Sequence, residues 1–295
     1  MSIEWFPGHM LAARKAAMET MRRTDVVIEV LDARVPHSSC NPDFEKLRRE
    51  NQRPALKVLN KADLADPERT RRWLAELNAR PGVGAIALSA KSRGEVRRIL
   101  PACLALAPGR TTPARPLRML ILGVPNAGKS TLMNTLLNRR VAKVGDEPAI
   151  TKSQMRHEIG PSMWLVDTPG MLWPGLAQEV ALKLAAVHSI GRNAYDDESV
   201  AVALAQYLLD DYPEQVTARF GALPPGADGY ALIAAIAQRR SLVVKGGGPD
   251  VGKAASVVLN EFRAGVVGRI TLETVEQVAA RRPRPSPPTS TGRGG

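Results

Sequence analysis

The run Gly123-Val124-Pro125-Asn126-Ala127-Gly128-Lys129-Ser130-Thr131 fits G-x-x-x-x-G-K-[ST], and its flanks leave few folds open. Leu117 to Leu122 precedes it, a short apolar run that reads as a buried strand. Leu132 to Leu137 follows it with helical spacing. Strand, glycine loop and helix in that order turn backbone N–H groups onto a phosphate chain, at the positive end of the helix. In such a loop Lys129 reaches the β- and γ-phosphates and the Ser130 hydroxyl, with Thr131 beside it, meets Mg²⁺.

Around this loop the chain alternates strands and helices. Met10–Met21 has helical spacing, and Val26–Leu31 is strand-like by its β-branched content. Pro42–Glu50 reads as a helix, Ala55–Leu59 as a strand, Pro67–Leu77 as a helix, Ala85–Leu88 as a short strand and Glu95–Leu106 as a helix. Pro108–Pro116 has linker composition. Met155–Ile159 and Met163–Val166 read as strands. Alternation of this kind predicts a mainly parallel α/β sheet with flanking helices. After Gly170 only helical periodicity remains, near residues 175–190, 196–211, 229–244 and 250–262, which predicts an all-α domain. The expected boundaries are 1–172, 173–280 and a disordered basic tail, 281–295.

Two further motifs point to guanine, and a third to Mg²⁺ and the γ-phosphate. Asn60-Lys61-Ala62-Asp63 ends a strand, where a carboxylate accepts from both N1–H and the 2-amino group of guanine, a donor pair adenine lacks. A helix N-cap at Asp63 or Asp66 is the rival reading of that acid. Ser89-Ala90-Lys91 ends the next strand, and its N–H groups are expected at the base O6. Asp167-Thr168-Pro169-Gly170 supplies an Asp to hold Mg²⁺ through water and a glycine N–H for the γ-phosphate. Between loop and Asp, Thr151 is the expected second Mg²⁺ ligand, with Thr112 and Thr168 open by spacing alone. In an ordinary G domain the phosphate loop comes first and the guanine motifs last. Here the order is reversed, so one site forms only if the domain is circularly permuted, with Pro108–Pro116 joining the former ends.

With Trp5-Phe6-Pro7-Gly8-His9-Met10, Asp32-Ala33-Arg34-Val35-Pro36, the motifs above and Met171-Leu172-Trp173-Pro174, the chain resembles the circularly permuted ribosome-assembly GTPases of the YlqF/RbgA type over roughly residues 1–275. Lys245-Gly246-Gly247 and Glu261-Phe262-Arg263-Ala264-Gly265 add to the likeness. The resemblance implies a GTP/GDP site, late maturation of the large (pre-50S) ribosomal subunit, contact with its rRNA, and hydrolysis stimulated by that particle. It also implies K⁺ as a possible cofactor at Asn126, the counterpart of an Asn in potassium-dependent relatives. A small-subunit assembly factor and a GTP-gated RNA-binding scaffold are the alternatives.

Bulk properties agree with such partners. The net charge is +12, and residues 1–170 hold 28 Lys and Arg against 17 Asp and Glu, whereas residues 171–280 hold 9 against 12. Residues 281–295 add four Arg and no acid, so the basic surplus sits in the nucleotide-binding half and the tail and suits a polyanion. Arg14, Lys15, Arg22, Arg23, Arg239, Arg240 and Lys245 are candidate RNA contacts. Cys40 and Cys103 offer no metal spacing or disulfide framework, and no apolar run reaches membrane length, so a cytoplasmic protein, monomeric off the ribosome, is expected. Gly247 to Lys253 imitates a second phosphate loop, but Ala254 replaces the hydroxyl, Pro249 removes an N–H and Asp250 repels phosphate; a helix start capped by Asp250 explains it.

Where many GTPases place a Gln after D-x-x-G, this chain has Met171, whose thioether cannot orient water. The expected catalytic groups are Lys129 and, after a Pro-Gly turn, His9, whose imidazole can orient or deprotonate water. The His9→Ala variant is expected to bind GTP normally and lose most ribosome-stimulated turnover; an undiminished rate in a single-turnover assay would remove the role.

Overall fold

The computed structural model describes residues 8–110, 112–138, 155–159 and 162–280, and for residues 8–13 and 155 the backbone alone. Six strands form one sheet: β1 (Val26–Asp32), β2 (Ala55–Asn60), β3 (Val83–Leu88), β4 (Leu117–Leu122), β5 (Met155–Glu158) and β6 (Met163–Asp167). Their spatial order is β3-β2-β1-β4-β6-β5, all parallel except the β5–β6 pair. The phosphate-loop strand β4 lies between β1 and β6, in register Val27↔Leu120 and Ile121↔Asp167.

β1 is buried at every position, as a parallel strand covered on both faces should be. Val26, Ile28 and Val30 enter one core, which continues through Leu56, Val58 and Ile121. Val27 and Leu31 enter smaller clusters on the other face, with Phe44 and Leu47 or with Trp73 and Leu77. That second face is covered by α1 (Gly8–Arg22), α2 (Pro42–Glu50) and α3 (Pro67–Asn78). Asn41 caps α2 and Asp66 caps α3, each with a proline in the first turn, so both helices begin where their sequences dictate. Between the two clusters Lys57 is buried with Glu29 directly across the β1–β2 ladder. Its Nζ donates to Glu29 and to Glu45 Oε2, the latter at 2.9 Å.

The expected helix Glu95–Leu106 is two, α4 (Arg93–Val96) and α5 (Ile99–Leu106). Pro101 explains the break, because its ring opposes a helical carbonyl four residues back, at Arg97. The linker Pro108–Pro116 holds only an isolated bridge, Thr112↔Arg115, among its described residues. The phosphate loop leads into α6 (Lys129–Leu137).

Beyond Gly170 the chain is helical: α7 (Gln178–Ala186), a 3₁₀ turn at Arg192–Ala194, α8 (Asp197–Asp211), α9 (Pro213–Phe220), α10 (Gly229–Arg239), α11 (Val251–Ala264) and α12 (Val275–Ala280). The sequence reading missed α9 and α12. Pro213 is the first residue of α9, where its absent N–H costs nothing. Asp250 does cap α11, accepting from Lys253 N at 2.9 Å. Val200, Leu204 and Leu208 of α8 join Ile233, Ile236, Val258 and Phe262 in the same buried cluster that contains the strand residues.

The chain then returns to the sheet. Ile270 N donates to Leu64 O and Leu272 N to Arg34 O, at 3.0 and 2.7 Å. The buried Glu273 carboxylate accepts from His37 N and Ser38 N, at 2.7 and 3.1 Å, and Val275 and Val278 of α12 pack on the Trp73 cluster. No helix among the described residues is long and apolar enough to cross a membrane. Replacing Lys57 by Met leaves Glu29 and Glu45 without their buried cation. The expected loss is about 3–5 kcal/mol, read as a lower urea midpoint; an unchanged midpoint would show the cluster contributes nothing.

Candidate functional site

The predicted motifs converge at the carboxyl ends of β2, β3, β4 and β6, the edge where parallel α/β sheets bind ligands. The phosphate loop turns at Asn126 and Gly128, whose φ values are +55° and +98°. A side chain on Gly128 has no room: its Cβ would lie 2.1 Å from Asn60 Nδ2. Asn60 is the keystone of the guanine motif. Its Nδ2 donates to Ala127 O at 2.7 Å, and its Oδ1 accepts from Ala90 N at 2.8 Å. One amide therefore ties the Asn60–Asp63 loop to both the phosphate loop and the Ser89–Lys91 loop. Thr135 Oγ1 adds a second tie, donating to Ala90 O at 2.7 Å.

Lys61, left-handed at φ +60°, spans the same junction, with Nζ 2.7 Å from Asn126 O and 2.8 Å from Asp32 Oδ2. Asp63 is exposed, whereas Asp66 is the helix cap, which answers which acid caps α3. Ser89 N donates to Glu95 Oε2 at 2.9 Å, and Lys91 is exposed beside it.

At the phosphate end, Lys129 is buried with Nζ 3.0 Å from Gly123 O and 3.1 Å from Val124 O. Burial lowers its ammonium to about 8, against the pull of the Asp167 charge. Burial likewise pushes the Asp167 carboxyl up to about 6, against Lys129 and the Thr168 N–H. Asp167 Oδ1 is buried and accepts no hydrogen bond from the described residues. An orphaned carboxylate oxygen beside a phosphate loop suits a hydrated divalent cation, so the residues present fit Mg²⁺. Gly170 lies against the loop, since a Cβ there would come within 2.8 Å of Pro125 Cα. Ser130 and Thr131 open α6 at the same end. Of the rivals to Thr151, Thr168 turns its hydroxyl to Ile121 O at 2.8 Å, and Thr112 precedes β4 at the opposite edge. Thr151 itself lies outside the described residues, as do the His9 side chain and the 281–295 tail.

Sequence reasoning missed the supports of this site. Asp32 is fully buried and accepts from Arg34 Nε at 2.9 Å as well as from Lys61. Burial alone would raise its carboxyl, yet Arg34 and Lys61 outweigh that and hold it well below the usual carboxylate range. The Arg34 guanidinium stacks on Phe262, 5.3 Å from the ring centre, and so links the guanine loop to α11. Arg269 donates to Ala62 O and Ala65 O, both at 3.0 Å. Asn126 Nδ2 donates to His188 O at 2.8 Å, a direct bond from phosphate loop to helical region. The charged pair Asp32-x-Arg34 was visible in the sequence; its partners 29 and 229 residues away were not.

Of the candidate RNA contacts, Arg14 pairs with Asp43 at 2.9 Å, Arg240 pairs with Glu261 at 2.8 Å, and Arg239 donates to Phe220 O. Arg22 and Arg23 are exposed. Among the described residues no group of three His, Cys, Asp or Glu side chains is placed to hold a metal.

A phosphate loop, an Asp-x-x-Gly turn and a guanine loop that meet in space but run in permuted order define a circularly permuted P-loop GTPase, an enzyme that binds guanine nucleotide and hydrolyses GTP. Residues 118–214 match the family model described as 50S ribosome-binding GTPase, a span that begins at the phosphate-loop strand and excludes the guanine motifs upstream. The chain is 38% identical over 285 residues to ribosome biogenesis GTPase A of Bacillus cereus, covering 94% of this chain and 95% of that one. It is 31% identical to mitochondrial ribosome-associated GTPase 1 of Mus musculus, across 91% and 89% of the two chains. The solved GNP-bound YlqF from T. maritima superposes with a TM-score of 0.60 at 26% identity, over 89% of this chain and 98% of that one. The chain belongs to the ribosome biogenesis GTPase A (YlqF/RbgA) family.

Removing the Asn60 amide leaves Ala127 O and Ala90 N without their buried partner. Asn60→Ala is expected to weaken GDP binding by about 1–3 kcal/mol, or about 5- to 150-fold by calorimetry; unchanged affinity would mean the amide does not organise the site.

Proposed function

We propose that this GTPase binds the immature large ribosomal subunit in the cytoplasm and uses GTP binding and hydrolysis to drive a late assembly step. The observation that carries the proposal is the set of bonds from nucleotide loops to helical region: Asn126 to His188, Arg34 to the α11 end, and Arg269 to Ala62. A change sensed at the phosphates has a short covalent and hydrogen-bonded route into residues 173–280, which in this reading meet the particle and its rRNA, beside a GTPase unit of residues 1–172. The names carried by family members, ribosome biogenesis GTPase A and mitochondrial ribosome-associated GTPase 1, support the partner. The basic surplus of residues 1–170 supports contact with RNA.

Asn60, Lys61, Asp63 and the Ser89–Lys91 backbone bind the base. Asn126 to Thr131 cradle the phosphates, and Lys129 neutralises charge as it develops on them. Ser130, Thr151 and Asp167 would hold Mg²⁺, which when bound neutralises the β- and γ-oxygens. The Asn126 Oδ1 atom is the expected K⁺ ligand. Gly170 N–H meets the γ-phosphate. Met171 takes no part in the chemistry, because it is 1% exposed and packed on Ala17 and Met21 of α1. The same packing fixes α1 against the Asp-x-x-Gly turn and so supports His9, in the first turn of α1, as the group that handles water.

GTP hydrolysis measured with purified large subunits, with small subunits as control, in K⁺ and in Na⁺ buffers, tests the reading. Stimulation of at least about tenfold by the large subunit alone, reduced in Na⁺, is expected. Stimulation by small subunits instead would move the protein to small-subunit assembly, and equal rates in K⁺ and Na⁺ would remove the potassium role.

A further inference from the structure

The edge of the sheet opposite the nucleotide holds a second basic feature. Arg48, Arg49, Arg53 and Arg80 line a cavity of about 610 Å³ at the amino ends of β2 and β3. A six-residue strand sets this edge about 20 Å from the phosphate loop. Among the described residues no acid lines the cavity. Two carboxylates stand behind the four guanidiniums: Glu45, which Arg48, Arg49 and Lys57 share, and Glu76, which pairs with Arg80 at 3.1 Å. Arg48 is fixed as a rigid floor, with Nη2 2.7 Å from Glu45 Oε1 and Nη1 2.9 Å from Arg53 O.

Arg53 is the informative member. It donates through Nη2 to Arg22 O at 2.7 Å, while its Nε is buried and has no partner among the described residues. A buried guanidinium N–H without an acceptor costs on the order of 1–3 kcal/mol or more, so its retention needs a reason. The bond to Arg22 also joins the cavity to the exposed Arg22 and Arg23 at the end of α1, which extends the cationic surface beyond the reach of one small anion.

We propose that this arginine cavity is an RNA-backbone site: it seats phosphodiester groups of a structured RNA, on the face away from GTP. Guanidinium forks match phosphate oxygens in pairs, which lysines do not. Among the described residues the cavity has no aromatic side chain on which a base could stack, so it grips the backbone and reads no sequence. Its identification as a phosphate site rests on the guanidiniums alone. Its natural occupant, ribosomal RNA, rests on the ribosome-assembly reading above. A base-binding edge and a phosphate-binding edge on one sheet let the protein hold RNA without covering its nucleotide.

The test is binding of a fluorescein-labelled RNA hairpin, followed by anisotropy from about 50 to about 200 mM KCl. The triple variant Arg49→Gln/Arg53→Gln/Arg80→Gln is compared with Arg71→Gln/Arg93→Gln/Arg97→Gln, which removes equal charge from exposed positions elsewhere. Arg48 is left intact because it is structural, and thermal melts and basal GTP hydrolysis check that both variants fold. The cavity variant is expected to lose at least about tenfold in affinity and to flatten the log–log salt slope by about 2 to 3, while the control changes little. Equal weakening of both variants, or of neither, overturns the site. Loss of poly-glutamate binding with RNA binding intact would assign the cavity to an acidic protein and overturns it too. If the cavity variant still binds RNA and the wild type is still stimulated by large subunits, the site fails and the assembly reading stands. A wild type that binds no RNA removes the site, and the assembly reading falls with it only if large subunits also fail to stimulate hydrolysis.

Discussion

The whole nucleotide site depends on one side-chain amide. Asn60 gives a hydrogen to Ala127 O and takes one from Ala90 N, so three loops from separate parts of the chain share a single planar group. Gly128 is dictated by that contact, since any side chain there would collide with the amide nitrogen. Circular permutation makes the bond more demanding than a local one. The guanine loop is made some sixty residues before the phosphate loop it must meet, and a long-range hydrogen bond has to fix a geometry that short connections cannot.

A second buried group, Asp32, does for the helical region what Asn60 does for the base. It is fully buried, yet two cations keep it ionised, and each cation has another attachment: Lys61 to the phosphate loop, Arg34 to α11. A buried carboxylate with two partners is costly to break and poorly tolerant of rearrangement, which makes it a device for specifying one arrangement of loop and helix. Arg269 and Tyr212 reinforce the seam, the latter donating to Thr271 O at 3.0 Å.

The phosphate loop, the parallel sheet and the converging guanine motifs were legible because each is a local pattern with a local cause: apolar runs, glycines and capping residues. Asp66, Asp250 and Asn41 each cap the helix that follows them, as short-range hydrogen bonding dictates. What escaped had two physical origins. Pro213 can start a helix or end one, and Pro101 broke a helix that periodicity alone would continue. The supports Arg34, His188 and Arg269 act through contacts with residues distant in sequence, and no spacing rule reaches across them. Met171 illustrates the middle ground: its unsuitability for chemistry was plain from the thioether, but its burial beneath α1 comes only from the packing.

The strap Ile270–Glu273 gives the helical region an unusual mechanical standing. The region leaves the sheet at Met171, bonded to Gly123 O at 3.2 Å, and rejoins it at Leu64 and Arg34, so both of its roots lie on the nucleotide edge. It is a handle with two roots, not a pendant with one. A load applied to the helices would therefore divide between the phosphate side and the base side of the same pocket, and a twist of the handle would strain both ends of the nucleotide at once.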